Sequence, residues 1–345
     1  MGCAGKKTGL QNATAASLQH DQKPGPLWTT KIVTTYLLTD AEKSTMALTY
    51  RALDLERTDN EPVRIAFLDH PPSPTDSLPK ATILLIHGFP QTSHQFRHVL
   101  PLLSAQGYRC IAPDYRGAGR SSKHHTDFRK TTMAADLMAL LDKLDITEPV
   151  HVIGHDIGGM IAFALASRFP ERVRSVCWGE CPLPGTETYR RDRTQHAVQQ
   201  FHFVFHAVAD LPEALVAGRE RVYVSHFLNK ITYNLAAFSE ADIDTYAAAY
   251  AEPGAMRCAF GVYRAFERDA KGNREVIEAK GKCRVPTMIL SGEFSRHLEE
   301  AEEMALEVTQ EEVLQQGVVK GAAHYLTEES PDGFGEAVLP FLEKH

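Results

Sequence analysis

The chain has 345 residues, of which 43% are hydrophobic and 23% charged; this allows one large α/β domain or two small ones with a sizeable core. A net charge of −7 offers no basic face, which argues against nucleic acid or an anionic membrane as partner. The longest apolar run, residues 160–166, falls far short of the roughly 20 residues that span a bilayer.

Residues 1–27 are polar and aperiodic and read as a disordered tail with no apolar stretch of a secretory signal. Met1-Gly2-Cys3 has the look of an acylation start, but Lys6 stands where Ser or Thr is wanted, so the pattern is incomplete. Alternating residues 46–55 and 63–68 predict an antiparallel pair at a sheet edge. The continuous apolar run 81–86 predicts a central strand buried on both faces, ending in His87-Gly88-Phe89-Pro90. A helix near residues 94–103 and a strand at 108–112 follow. Met133, Leu137, Leu140, Leu141 and Leu144 then repeat at helical spacing behind Thr131-Thr132, the N-cap candidates.

The most informative stretch is 150–163. It reads as a short buried strand, an abrupt turn at His155-Asp156-Ile157, and a helix. Gly154 and Gly158 flank the turn, because a strand that turns straight into a helix leaves room only for hydrogen side chains. The pattern G-x-D-x-G is a nucleophile elbow with a carboxylate where a serine would sit. A carboxylate is a weak acyl nucleophile, but it attacks saturated carbon bearing a leaving group and forms an alkyl ester. The plain alternative is a packing unit with an acidic helix start.

A strand at 173–179 ends in Glu180. Strands and helices have alternated to this point, the pattern of a parallel sheet covered on both faces. From Pro182 about a hundred residues read as helical: 192–208, 212–228, 240–251 and 255–268. Alternation resumes with a strand at 286–290, a helix near 297–307, a strand near 317–320 and a last helix from Pro331. The predicted organisation is a tail at 1–27, an α/β core at 28–181 and 282–345, and an inserted helical cap at 182–281.

An ester-forming carboxylate needs donors for an oxyanion, a base for water and an acid for the leaving group. The backbone N–H groups of Phe89 and Ile157 are the oxyanion candidates. His324, on a loop after the last strand, is the candidate base. Two acids could orient it: Glu180 and Glu293. Glu180 is favoured, since it ends the strand beside the elbow, at the edge where parallel sheets form sites. The six cysteines lack C-x-x-C or paired spacing, which favours reduced thiols in the cytoplasm and no metal.

The order of these pieces resembles the α/β-hydrolase superfamily. His87-Gly88-Phe89-Pro90, Gly154-His155-Asp156-Ile157-Gly158-Gly159 and the late Gly321-Ala322-Ala323-His324 are similar to the epoxide hydrolase branch. The resemblance implies that no cofactor takes part and that the substrate is a small-molecule epoxide, cleaved with water to a vicinal diol. Most members open the ring with two cap tyrosines. Phe260-Gly261-Val262-Tyr263-Arg264-Ala265-Phe266 is similar to the segment of the second, which points to Tyr263. His202 stands in the place of the first. That pairing, with a Glu after the sixth strand, resembles the Cif-type epoxide hydrolases. Without the resemblance, His202 and Tyr263 read as packed core residues.

Two rivals remain at this stage. A haloalkane or haloalkanoate dehalogenase would use the same nucleophile, but wants a tryptophan or arginines after it; Ile157 and Met160 stand there, and the only tryptophans are Trp28 and Trp178. A non-catalytic ligand-binding hydrolase fold would need a broken constellation. The aromatics Phe201, Phe203, Phe205, Tyr246 and Tyr250 suggest an apolar substrate. The particular epoxide and the oligomeric state, a homodimer among the options, stay open.

Overall fold

The computed structural model describes residues 48–55, 62–74 and 78–345. The tail, the Gly2-Cys3 start and Trp28 lie outside the described residues. Among the described residues eight strands form one sheet: β1 (Tyr50–Leu55), β2 (Val63–His70), β3 (Thr82–Ile86), β4 (Arg109–Pro113), β5 (Val150–His155), β6 (Val173–Gly179), β7 (Thr287–Gly292) and β8 (Leu314–Val319). Their spatial order is β1-β2-β4-β3-β5-β6-β7-β8. β2 pairs antiparallel with both β1 and β4, and every other pair is parallel. The 46–55 and 63–68 runs thus form the expected edge pair, as far as the first of them is described.

The period of two along a strand sorts the core into two layers. Leu84 and Ile86 of β3 join one cluster with Leu137, Ile161 and Trp178. Ile83 and Leu85 join the other with Leu103, Cys177 and Phe341. Helices Lys130–Lys143 and Ile157–Arg168 cover the first face; Leu100–Ala105 and Pro331–Lys344 cover the second. This two-faced burial is why β3 reads as continuous apolar sequence. Among the described residues no helix is long and apolar enough to cross a membrane.

The boundaries differ from expectation for local reasons. The helix expected at 94–103 is a 3-10 turn, Ser93–Phe96, followed by helix Leu100–Ala105. Pro101 lacks an N–H and is tolerated only in a first turn, so the helix starts there. Thr131 and Thr132 do not cap helix Lys130–Lys143. Its N-cap is Arg129, without a side-chain bond, and Lys130 N–H donates instead to Asp269 Oδ1 at 2.8 Å. Thr132 Oγ1 donates to Asp127 Oδ2 at 2.7 Å.

The chain between β6 and β7 is helical but more broken than its periodicity suggested. Glu187–Thr194 and Phe201–Ala207 replace the first expected helix, and Leu211–Val216 and Glu220–Lys230 replace the second. Ala255–Arg264 and Phe266–Lys280 replace the last, while Glu240–Ala251 has the expected bounds. This layer is tied to the core by polar pins. Lys130 Nζ donates to Asp269 Oδ2 (2.7 Å) and to the Val262 carbonyl (2.9 Å), and Tyr250 Oη donates to the Gln91 carbonyl (3.1 Å).

Candidate active site

Asp156 sits between β5 and helix Ile157–Arg168 with φ 53° and ψ −122°. That conformation costs a non-glycine residue about 1–3 kcal/mol, and only close packing can enforce it. The packing is there. A Cβ on Gly158 would lie 2.0 Å from the Ile86 carbonyl oxygen, and one on Gly154 would lie 2.1 Å from that of Gly158. Strand, helix and the end of β3 therefore approach as only glycine permits.

Phe89 N–H donates to Asp156 Oδ1 at 2.9 Å, and the N–H of Ile157 also bonds to the carboxylate. Burial pushes the Asp156 carboxyl up from its ordinary 3.8, while the charge of His324 and these two N–H groups pull it back. The same donors that favour the anion lie where an oxyanion on this carbon would need them.

His324 lies beyond β8. Its Nδ1 is 3.1 Å from Glu180 Oε2, a contact that needs the proton on Nδ1 and leaves Nε2 as the basic atom. Burial alone would lower the His324 pKa; the hydrogen bond and charge of Glu180, joined by Asp156, outweigh it and hold the pKa above 6.5. Glu180 is itself fixed: Gly292 N–H donates to Oε1 (3.0 Å) and Ser295 Oγ–H to Oε2 (2.7 Å). Glu293 is exposed and accepts from Gly321 N–H at 3.0 Å. The acid beside the imidazole is Glu180.

A cavity of about 430 Å³ joins these groups to the helical layer. Phe89, Asp156, Glu180, His202, Tyr263 and His324 all line it. Ile157 contributes its backbone from below and is itself buried. The rings of His202 and Tyr263 stand 5.6 Å apart, and Tyr263 packs edge-on against Phe89 at 5.7 Å. Burial drives His202 down to about 3, helped by the nearby Lys230 charge, so the ring is neutral. Its buried Nδ1 has no hydrogen-bond partner among the described residues. Burial and the Asp156 charge push Tyr263 well above 10.0, so it keeps its proton.

Four of the five aromatics expected at an apolar substrate pocket lie elsewhere, which corrects that expectation. Of them only Phe203 lines the cavity. Phe201 belongs to a separate surface groove, Phe205 packs against Phe260, and Tyr246 and Tyr250 bond to the loop after β3. Their amphipathic spacing marks burial without saying against what. The wall is instead a mixture, with Phe227 and Phe294 beside Lys230 and Arg296. Sequence reasoning also missed a buried polar cluster. Glu328 bonds Arg97 (2.5 Å), Gln91 (3.2 Å) and the Tyr246 hydroxyl, and joins residues too far apart in the chain to form a pattern. Trp178 packs against Phe163 in the core and does not line the cavity.

An α/β-hydrolase-fold family model matches residues 81–184, the span from β3 through the elbow to the end of β6. The soluble epoxide hydrolase of Corynebacterium sp. (strain C12) is 31% identical over 264 residues, covering 75% of this chain and 89% of that one. A haloalkane dehalogenase of Mesorhizobium japonicum is 29% identical over 273 residues, covering 76% of this chain and 84% of its own. Among solved structures, Cfl2 from Burkholderia cenocepacia superposes with a TM-score of 0.74 at 29% identity, covering 85% of this chain and 95% of that one. The sheet and elbow define a hydrolase of the α/β type. The chain belongs to the α/β-hydrolase family, in its epoxide hydrolase branch.

Proposed function

We propose that the chain hydrolyses an epoxide to a vicinal diol through an ester on Asp156. With Oδ1 held by Phe89 N–H, Oδ2 attacks the less hindered epoxide carbon from behind. The ring C–O bond breaks, and its electron pair stays on oxygen. Tyr263 gives that oxygen its proton, while neutral His202 steadies it by a hydrogen bond. In the second step His324 Nε2 takes a proton from water, and the hydroxide adds to the Asp156 carbonyl carbon. The N–H groups of Phe89 and Ile157 hold the oxyanion on Oδ1. Glu180 balances the imidazolium. Collapse breaks the bond from the Asp156 carbon to the alkyl-bearing oxygen; the proton held by His324 passes to that oxygen and the diol leaves, while the proton of the regenerated Asp156 acid returns through solvent to the Tyr263 phenolate.

The observation that carries this reading is one cavity lined at once by a donor-held carboxylate, a carboxylate-held histidine and a neutral His–Tyr pair. The pair supports the Cif-type resemblance. In this reading residues 182–281 act as the cap, and the described residues of 28–181, together with 282–345, as the two parts of the core. Five described cysteines are buried free thiols, which supports a cytoplasmic setting.

The test is one turnover in oxygen-18 water with enzyme in excess. The first diol should be unlabelled, because its new oxygen comes from Asp156. Label in that first product refutes the ester. The dehalogenase relative favours a second reading on the same carboxylate, tested by halide release from chloroalkanes and haloacetates. Trp178 lies away from the cavity, which weighs against it.

A further inference from the structure

Glu329 closes the short helix Leu326–Glu329 that follows the His324 loop, and it has no part in the chemistry above. It is buried at 5% exposure. Its carboxylate accepts four backbone N–H groups. Oε1 takes Tyr325 N–H at 2.8 Å; Oε2 takes Ala323 N–H at 3.2 Å, Tyr233 N–H at 2.7 Å and Asn234 N–H at 3.0 Å. Ala323 and Tyr325 are the residues on either side of His324. Tyr233 and Asn234 belong to the helical layer, where the Tyr233 ring stacks on Phe294 of the core at 3.8 Å beside the cavity. Asn234 Nδ2 returns a bond to the Glu329 carbonyl at 3.2 Å, and His324 N–H donates to the Ile231 carbonyl at 3.4 Å.

A carboxylate is acceptor-only, so it can gather donors on both oxygens at once. An amide of the same shape would turn an NH₂ toward one set of N–H groups and break it. The neighbouring Glu328 points elsewhere, to Arg97 and Gln91.

We propose that Glu329 is a positioning residue for His324: by binding the backbone on both sides of the histidine and the segment 233–234 above it, one side chain sets the imidazole's place and couples it to the seating of the helical layer. This rests on the reading of His324 as the base for ester hydrolysis. The first step depends on Asp156, His202 and Tyr263, none of which Glu329 touches. The second depends on where the imidazole stands against water, and a displacement of a catalytic group by about 1 Å can cost on the order of 10²-fold. The charge of Glu329 is also among the influences that hold the His324 pKa up.

The experiment is rapid quench of the full chain with styrene oxide, or with the terminal epoxide it turns over fastest in a panel, reading the Asp156 ester by mass spectrometry. In Glu329→Gln the ester should form within about threefold of the native rate and hydrolyse about tenfold more slowly or worse, so that it accumulates. The acid limb of kcat should move to lower pH. Glu329→Asp keeps the charge but not the reach, so ester should accumulate without that pH shift. Unchanged partitioning in a folded Glu329→Gln, with only a lower Tm, overturns the proposal. An unaltered chain that forms no ester defeats the proposed chemistry instead. If neither variant folds, amide exchange on the native chain decides: the N–H groups of Tyr233, Asn234, Ala323 and Tyr325 should exchange as one slow group, and independent rates overturn the assignment.

Discussion

The elbow under the cavity and the helical layer above it hold their reactive groups by different means. Below, β5 is buried along its length, and carbonyl oxygens stand where glycine side chains would grow. Asp156 is confined by volume. Above, His202 and Tyr263 sit among rings: Phe203, Phe227 and Phe89 lie within edge-to-face distance of one or both. Such contacts can be made by many combinations of side chains. The same layer exposes Val222 and Leu235 to solvent. Under the proposed chemistry, confinement fixes the attacking atom, whereas adaptable packing would let the groups that receive the ring oxygen be exchanged, a tyrosine for His202 among them.

The largest effect expected from breaking this contrast is at the confined side. Asp156→Ala should lower turnover by about 10⁴-fold or more and abolish any covalent adduct, checked by intact-protein mass. His324→Gln should still form the ester but fail to clear it, so a stoichiometric adduct persists and turnover falls about 10³-fold. The pins between the layers come next. Asp269→Ala strands the buried Lys130 ammonium and removes a helix N-terminal acceptor, and should cost about 3–5 kcal/mol in urea unfolding. Tyr263→Phe should slow ester formation about 10²-fold and leave hydrolysis of ester already formed near native. An equal loss in both steps would erase the division of labour between the layers.

The smallest effect is on pH. The proposed base role of His324 needs the neutral imidazole, and its pKa is raised above 6.5, so kcat should fall as pH drops through that raised value. Tyr263, pushed well above 10.0, adds no alkaline limb below that. The stability contribution has the opposite sense. A pKa raised on folding favours the protonated protein, so that contribution is full below 6.5 and is lost as pH rises through the folded value. Activity and this part of the stability should cross, which paired rate and unfolding profiles would reveal.

What the sequence made legible follows the same division. Steric confinement writes itself as glycines at fixed spacing, so strand, turn and helix around Asp156 could be read directly. Strand ends are legible too, which placed Glu180 where the structure has it, at the end of β6 and against His324. The cap of helix Lys130–Lys143 was not, because its acceptor, Asp269, lies in another layer and Thr131-Thr132 offered a plausible local answer. The facing of Phe201, Phe205, Tyr246 and Tyr250 was lost for a related reason: periodicity reports that a side is buried, and the partner is set by tertiary packing. His202 and Tyr263 came from resemblance alone.

The bond from Phe89 N–H to one oxygen of Asp156 has a further consequence. It makes the two carboxylate oxygens unequal before any substrate arrives. Under the proposed chemistry the free oxygen departs with each product and solvent refills its seat, while the tethered one never leaves. In oxygen-18 water, every diol after the first should then carry label, and the aspartate should never take up a second heavy atom. A carboxylate that spins between cycles would instead give mixed second products and a doubly exchanged side chain, so counting isotopes over successive cycles measures how firmly the backbone N–H groups of Phe89 and Ile157 hold their grip.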